Sequence, residues 1–96
     1  NTSIGIALMR RLDAKNAPHR TVVSTKTYLV LAGEARIRAG RRTVLLRRGE
    51  LLMVPPGTVQ QVRWMSSRAR LLLLRTPDAG DTKWDKRDAD GRRFRT

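Results

Sequence analysis

Gly49-Glu50-Leu51-Leu52-Met53-Val54-Pro55-Pro56-Gly57-Thr58-Val59-Gln60 sets a four-residue apolar run between two turn signals. A glycine stands before the run and Pro-Pro-Gly closes it, and these residue types supply the backbone angles that tight turns demand. Four apolar residues make a strand and are too few for a helix. Leu51–Val54 is therefore expected to be a β-strand that leaves one tight connection and runs into another. Val59–Trp64 follows at once, and its Gln61-Val62-Arg63-Trp64 alternates polar with apolar, as a strand with one buried face does.

Outward from this pair the pattern repeats. Thr21–Leu31, Ala35–Ala39, Thr43–Leu46 and Ala69–Leu74 are short, rich in Val, Leu, Ile and Thr, and separated by Gly, Pro or Ser. Ala35-Arg36-Ile37-Arg38-Ala39 alternates strictly, with arginines on one face. Ile4–Leu12 reads as a further strand, with Ile4, Ile6 and Leu8 alternating with Gly5, Ala7 and Met9, and a short helix fits the same residues. Many short strands with tight connections predict an all-β, antiparallel sandwich or barrel, because closing the sheet removes its exposed edges. From Thr76 the character changes to Pro, Gly and mixed charge, with only Trp84 and Phe94 to bury. The expected organisation is one barrel over residues 1–77 and a polar tail or arm over 78–96.

The chain of 96 residues carries a net charge of +13. That suggests a polyanionic partner, but the distribution argues against one. Arg10, Arg36, Arg38, Arg47, Arg63, Arg70 and their fellows are scattered along strands and loops, and arginine outnumbers lysine 17 to 4, a bias that coding composition alone produces. Four aromatics, Tyr28, Trp64, Trp84 and Phe94, are too few for a base-stacking platform. The absence of cysteine rules out disulfides and thiolate metal sites. No apolar run approaches the roughly 18 residues that cross a bilayer, and Asn1-Thr2-Ser3-Ile4-Gly5 does not open like a signal peptide, so a soluble cytoplasmic protein with no membrane partner is expected.

The order of these signals resembles the cupin superfamily, small antiparallel β-barrels of jelly-roll topology. Two motifs between Ala17 and Pro77 carry the likeness. The second cupin motif has glycine, proline, glycine and histidine at the spacing held here by Gly49, Pro55, Gly57 and Gln60. The first has two histidines, a glutamate and a glycine, and counting back from Gly33 puts the glutamate position at Lys26. Its histidine positions fall on Arg20 and Val22, or on His19 and Thr21 if the spacer is one residue longer. Lysine and arginine repel a cation, so the resemblance comes without its usual metal: no metal and no other cofactor is expected.

If position 26 faces the barrel interior as its cupin counterpart does, alternation turns Tyr28 and Val30 inward, and by the same parity Gln60, Val62 and Trp64. The candidate catalytic residues are then Lys26 and Tyr28. The candidate substrate-binding residues are Gln60, Trp64, His19 and Arg20. Lys26 and Gln60 would meet a ligand oxygen, Tyr28 would donate or relay a proton, and Trp64 would form a stacking wall. The plainer reading makes Lys26 a snorkelling rim residue, Tyr28 and Trp64 core filling, and His19 and Arg20 surface groups. The resemblance implies a metal-independent isomerase, epimerase or cyclase, or an accessory protein, of sugar or natural-product metabolism. The alternatives are a ligand-sensing module and, third, nucleic-acid binding through arginine faces. It also implies a homodimer, in keeping with a Leu71-Leu72-Leu73-Leu74 run that looks buried on both faces.

Overall fold

The computed structural model describes residues 4–11, 16–77 and 82–84. Among them the strands are β1 (Gly5–Met9), β2 (His19–Thr21), β3 (Thr25–Ala32), β4 (Glu34–Ala39), β5 (Arg42–Arg47), β6 (Leu51–Val54), β7 (Gln60–Met65), β8 (Arg70–Thr76) and β9 (Thr82–Trp84). Every pairing is antiparallel, in one sheet ordered β1-β8-β3-β6 and another ordered β5-β4-β7-β2-β9. Leu51–Val54 is a strand with the predicted bounds, and residues 5–9 are a strand rather than a helix.

The predicted strand Thr21–Leu31 is two. Thr21 Oγ1 donates to the Ser24 carbonyl at 2.5 Å, and Ser24 Oγ donates to the Pro77 carbonyl at 2.5 Å, both side chains being buried. These bonds turn the chain at Val22 and Val23, which stay exposed. Two side-chain-to-backbone bonds thus override the β propensity of a Val-Val pair. Thr82–Trp84 pairs with His19–Thr21, so a strand lies within the stretch that composition reads as a tail. The rest of 78–96 is outside the described residues.

The core lies between the sheets, with Tyr28, Val30, Val54 and Leu71 from one and Ala35, Ile37, Leu46 and Val62 from the other. Gly33 joins β3 to β4 at a φ of 70°, where a Cβ would sit 2.5 Å from Ser66 Oγ and 2.8 Å from Ala69 Cα. Only glycine takes that backbone conformation beside so close a neighbour.

The two outer faces differ in chemistry. On the β1-β8-β3-β6 sheet, cross-strand rows run Ile6, Leu74, Thr27, Met53 and Leu8, Leu72, Leu29, Leu51, without a charge in either. On the other sheet Arg36, Arg38 and Arg63 face outward, and Arg47 forms an exposed ion pair with Glu34 at 3.4 Å. The Leu71–Leu74 run is correspondingly asymmetric: Leu71 is buried against the core, and Leu72 and Leu74 are half-buried on the outer side.

Candidate functional site

Alternation along β3 turns Lys26, Tyr28 and Val30 to the inner face, as predicted from parity. On the facing sheet β2 and β7 pair at His19 and Gln60, both buried. Two hydrogen bonds then cross between the sheets. Lys26 Nζ lies 3.1 Å from His19 Nε2, and the Tyr28 hydroxyl donates to Gln60 Oε1. Lys26 Nζ also lies 5.6 Å from the centre of the Tyr28 ring.

The hydrogen-bond chemistry assigns the histidine tautomer. His19 Nδ1 lies 3.1 Å from the Ala17 carbonyl, which can only accept, so Nδ1 carries the proton. Nε2 is left as an acceptor for the Lys26 ammonium. Burial lowers the His19 pKa from 6.5 to about 4, with the Lys26 charge acting in the same direction. The ring is therefore neutral at pH 7. Burial, and then the nearby Arg75 charge, lower Lys26 from 10.5 to about 8. Burial raises the Tyr28 hydroxyl above its ordinary value, so it works here as a donor and not as a phenolate. Gln60 is fully buried, and with Oε1 taken by Tyr28 its Nε2 has no partner. A buried donor left without an acceptor costs about 1–3 kcal/mol, which marks Nε2 as an open valence in the interior.

A cavity of about 210 Å³ opens beside Lys26, walled by Gly5, Ile6, Ala7, Leu73, Leu74 and Arg75. Register explains the space. Gly5, Arg75 and Lys26 stand side by side on β1, β8 and β3, and Ala7, Leu73 and Tyr28 form the next inner row. Two small residues on β1 leave room where larger ones would pack. His19, Tyr28 and Gln60 are not among the cavity walls; Lys26 joins their bonded pairs to the open space.

Two of the predicted site residues are turned the other way. Ile37 opposes Val62 but Arg36 opposes Trp64, so Arg63 is an extra residue, a β-bulge that reverses parity along β7. Trp64 thereby reaches the outer face, 38% exposed, with the Arg36 guanidinium 5.2 Å from its ring, and Met65 takes the inward place. Trp64 is not an aromatic wall of the interior. Arg20 lies between buried His19 and Thr21 on β2, so alternation directs it to the opposite side, and it is not a wall of the cavity. Arg75, Gly5 and Ala7 were missed. The signal for Arg75 was available, since it continues the inward parity of Leu71 and Leu73.

Of the two alignments of the first motif, burial favours His19 and Thr21 over Arg20 and Val22, Val22 being 49% exposed. The four positions that hold a metal in cupins are then His19, Thr21, Lys26 and Gln60. This set does not fit a divalent cation. Thr21 Oγ1 is committed to Ser24, the one imidazole acceptor faces an ammonium, and amide and ammonium groups replace the anionic and imidazole donors. Among the described residues no cluster of His, Asp, Glu or Cys could ligate an ion elsewhere.

The sequence profile of the AraC-binding-like domain matches residues 24–95. No curated protein matches the chain. Among solved structures, the fold is similar to PAC13 of Streptomyces, described as a nucleoside dehydratase and seen with uridine, at 18% identity and TM-score 0.74, covering 100% of this chain and 73% of that one. It is also similar to KdgF from a Halomonas species, at 15% identity and TM-score 0.72 over 84% of this chain and 74% of that one. The QdtA 3,4-ketoisomerase of Thermoanaerobacterium thermosaccharolyticum, solved with TDP, follows at 16% identity and TM-score 0.69 over 82% and 64%. At these identities the likeness speaks to the fold: an antiparallel cupin barrel, the all-β class predicted. Among the described residues no helix is long and apolar enough to cross a membrane.

Proposed function

The chain belongs to the AraC-binding-like domain family, cupin-type barrels, and on that footing we propose that it binds a small, oxygen-rich organic molecule beside Lys26 and transforms it without a metal. The reaction class is proton transfer next to a carbonyl, as in an isomerase, epimerase or cyclase of sugar or natural-product metabolism. The observation that carries this reading is Lys26 itself, a wall of the cavity and 3.1 Å from a neutral histidine nitrogen. With a pKa near 8, about a tenth of Lys26 is free amine at pH 7, against less than about a thousandth for an ordinary lysine. A base poised close to the working pH is what proton abstraction requires. His19 Nε2 accepts from the ammonium and holds Nζ in place. Gln60 Nε2, on an amide fixed by Tyr28, is an unpaired donor behind the cavity wall, and it would serve a developing oxyanion for a ligand that reaches past Lys26 into the barrel. An isomerisation takes a proton from one carbon and returns it to another, so one base suffices and no co-reactant is needed.

The similar folds seen with uridine and with TDP support sugar- and nucleoside-like ligands as the first to try. A second copy of the chain and a cytoplasmic setting belong to the same proposal. The test is calorimetric titration of nucleosides, nucleotide sugars and keto acids against the wild type, Lys26→Ala and Gln60→Ala, with folding checked by circular dichroism. Binding of at least one compound, lost in both variants, is the expected result. Ligands that bind both variants as tightly as the wild type reject the interior site. A second reading, polyanion binding, is favoured by Arg36, Arg38 and Arg63 around the exposed Trp64. It demands affinity that falls steeply with salt and is indifferent to Lys26.

A further inference from the structure

Lys26 and Arg75 are direct cross-strand partners on the inner face of the β1-β8-β3-β6 sheet, and both are walls of the cavity. Like charges placed opposite one another in a sheet are destabilising. The rest of the row does not offset them, since Gly5 stands beside Arg75 and buried Val54 beside Lys26. Among the described residues the only carboxylates are Glu34 and Glu50; both are engaged at Arg47, and neither lines the cavity. Two cations thus share one small space whose other walls, such as Ala7 and Leu73, are apolar.

We infer that this cavity captures small 2-oxo acids covalently, Arg75 holding the carboxylate while the Lys26 amine forms an imine at the adjacent carbonyl carbon. The inference rests on the reading of the cavity as a small-molecule site, and not on Lys26 acting as a base towards carbon. Each part of the ligand answers to a wall. A guanidinium matches a carboxylate as a bidentate pair, and its five donors leave some for a ligand beside its contacts within the protein. Opposed residues of a sheet have Cβ atoms about 5 Å apart, so the two head groups flank one short molecule that bears both its acid and its carbonyl there. A volume of about 210 Å³ holds about seven waters at about 30 Å³ each, which suits an acid of the size of pyruvate lying wholly inside. A lysine out of water and next to a second cation is the kind that attacks carbonyls, because part of it is free amine near neutral pH.

The step balances without a co-reactant. The Nζ lone pair forms a C–N bond to the keto carbon as the carbonyl π pair moves onto oxygen. His19 Nε2, unprotonated and 3.1 Å from Nζ, relays the two protons that Nζ sheds to that oxygen. The oxygen then leaves as water, so amine and ketone become imine and water.

Pyruvate with sodium cyanoborohydride at pH 7, followed by peptide mass spectrometry, tests this on the whole chain, since the reductant turns the imine into a stable secondary amine. Lys26 should gain the adduct at least about ten times faster than Lys15, Lys83 or Lys86, the other lysines of the chain, as its larger free-amine fraction requires. The uncharged 2-oxopropanamide should label Lys26 about tenfold more slowly than pyruvate, because it forfeits the charge-assisted bonds to Arg75. Arg75→Gln should erase that preference and Arg75→Lys should keep part of it. The readout is the ratio of two labels on one amine, so a change in Lys26 basicity or a partial loss of folding cancels. Adduct spread evenly over the four lysines, or no adduct, overturns the imine. Equal labelling by pyruvate and its amide in the wild type, or a preference undiminished in Arg75→Gln, overturns the carboxylate site. Sugars or nucleosides whose binding is lost in Lys26→Ala, with no pyruvate trapped, leave the small-molecule site standing and remove the imine. Trapping at Lys26 with no ligand bound in the calorimeter keeps the imine and removes the proton-transfer reading.

Discussion

Replacing Lys26 with methionine should stabilise the protein while destroying its function. The lowering of the Lys26 pKa from 10.5 to about 8 means that the folded state disfavours the ammonium. At 1.36 kcal/mol per pKa unit this is at most about 3 kcal/mol, and partial exposure of the side chain trims it to about 2 kcal/mol. Methionine keeps the apolar stem and removes the charge. Against the gain stand the lost bond to His19 Nε2, about 1 kcal/mol, and the contact with the Tyr28 ring, about 0.5 kcal/mol. The balance is a stabilisation of the order of 0.5–1 kcal/mol, or about 2–8 °C in Tm for a domain of this size. The pH dependence separates this from mere improvement in packing. Between about pH 8 and 10.5 the unfolded chain still holds the Lys26 proton that the folded chain has released, so wild-type stability climbs with pH across that window and falls as pH drops through 8. The variant lacks that climb, so its advantage should be full below pH 8 and turn into a deficit of about 1 kcal/mol above pH 10.5, where only the lost contact with His19 remains. Thermal melts at pH 7 and pH 10.5 measure both quantities. A Tm for Lys26→Met below the wild type at pH 7, or a difference that does not change with pH, refutes the reasoning.

His19 sets an acid limit. Its folded pKa near 4 lies below the unfolded value of 6.5, so stability is complete above pH 6.5 and declines as pH falls towards 4, by about 3 kcal/mol in total; urea titrations of the wild type and His19→Gln should show that slope only in the former. Gly33→Ala forces a Cβ onto Ser66 and Ala69 in a left-handed backbone conformation and should cost about 2–4 kcal/mol in chemical denaturation; a smaller loss would mean the β3–β4 connection relaxes freely. Tyr28→Phe should destabilise by about 1–3 kcal/mol through the Gln60 oxygen left behind, Gln60→Leu by less because it also removes the unpartnered Nε2, and the double variant by less than their sum; strict additivity would show that the pair is not coupled.

Much of the barrel could be read from residue order, because its determinants are local. Glycines and prolines that make turns punctuate runs that make strands, and Gly49-to-Gly57 delivers Leu51–Val54 with its bounds intact. The inward pairing of Lys26 with Tyr28 follows from alternation on an unbroken strand, and Gln60 lies before any irregularity in β7. What escaped was non-local. The Thr21–Ser24 turn depends on Pro77 closing over Ser24 from the far end of β8. Thr82–Trp84 is a strand only because β2 offers it an edge. Arg75, Gly5 and Ala7 meet Lys26 through the register of three strands, which no one of them specifies alone.

The single inserted residue at Arg63 acts as an odd-even counter. Before it, even-numbered positions of β7 belong to the interior; beyond it, odd-numbered ones do. A relative that kept all six residues of the strand but paired them without the bulge would exchange inside for outside from Trp64 onward, presenting an indole to the lumen and a thioether to water, whereas one lacking Arg63 altogether would keep Trp64 outside and Met65 inside. Transferring site residues between members of this fold therefore requires counting insertions within strands, where an alignment gap is easily dismissed, as carefully as the motif letters themselves.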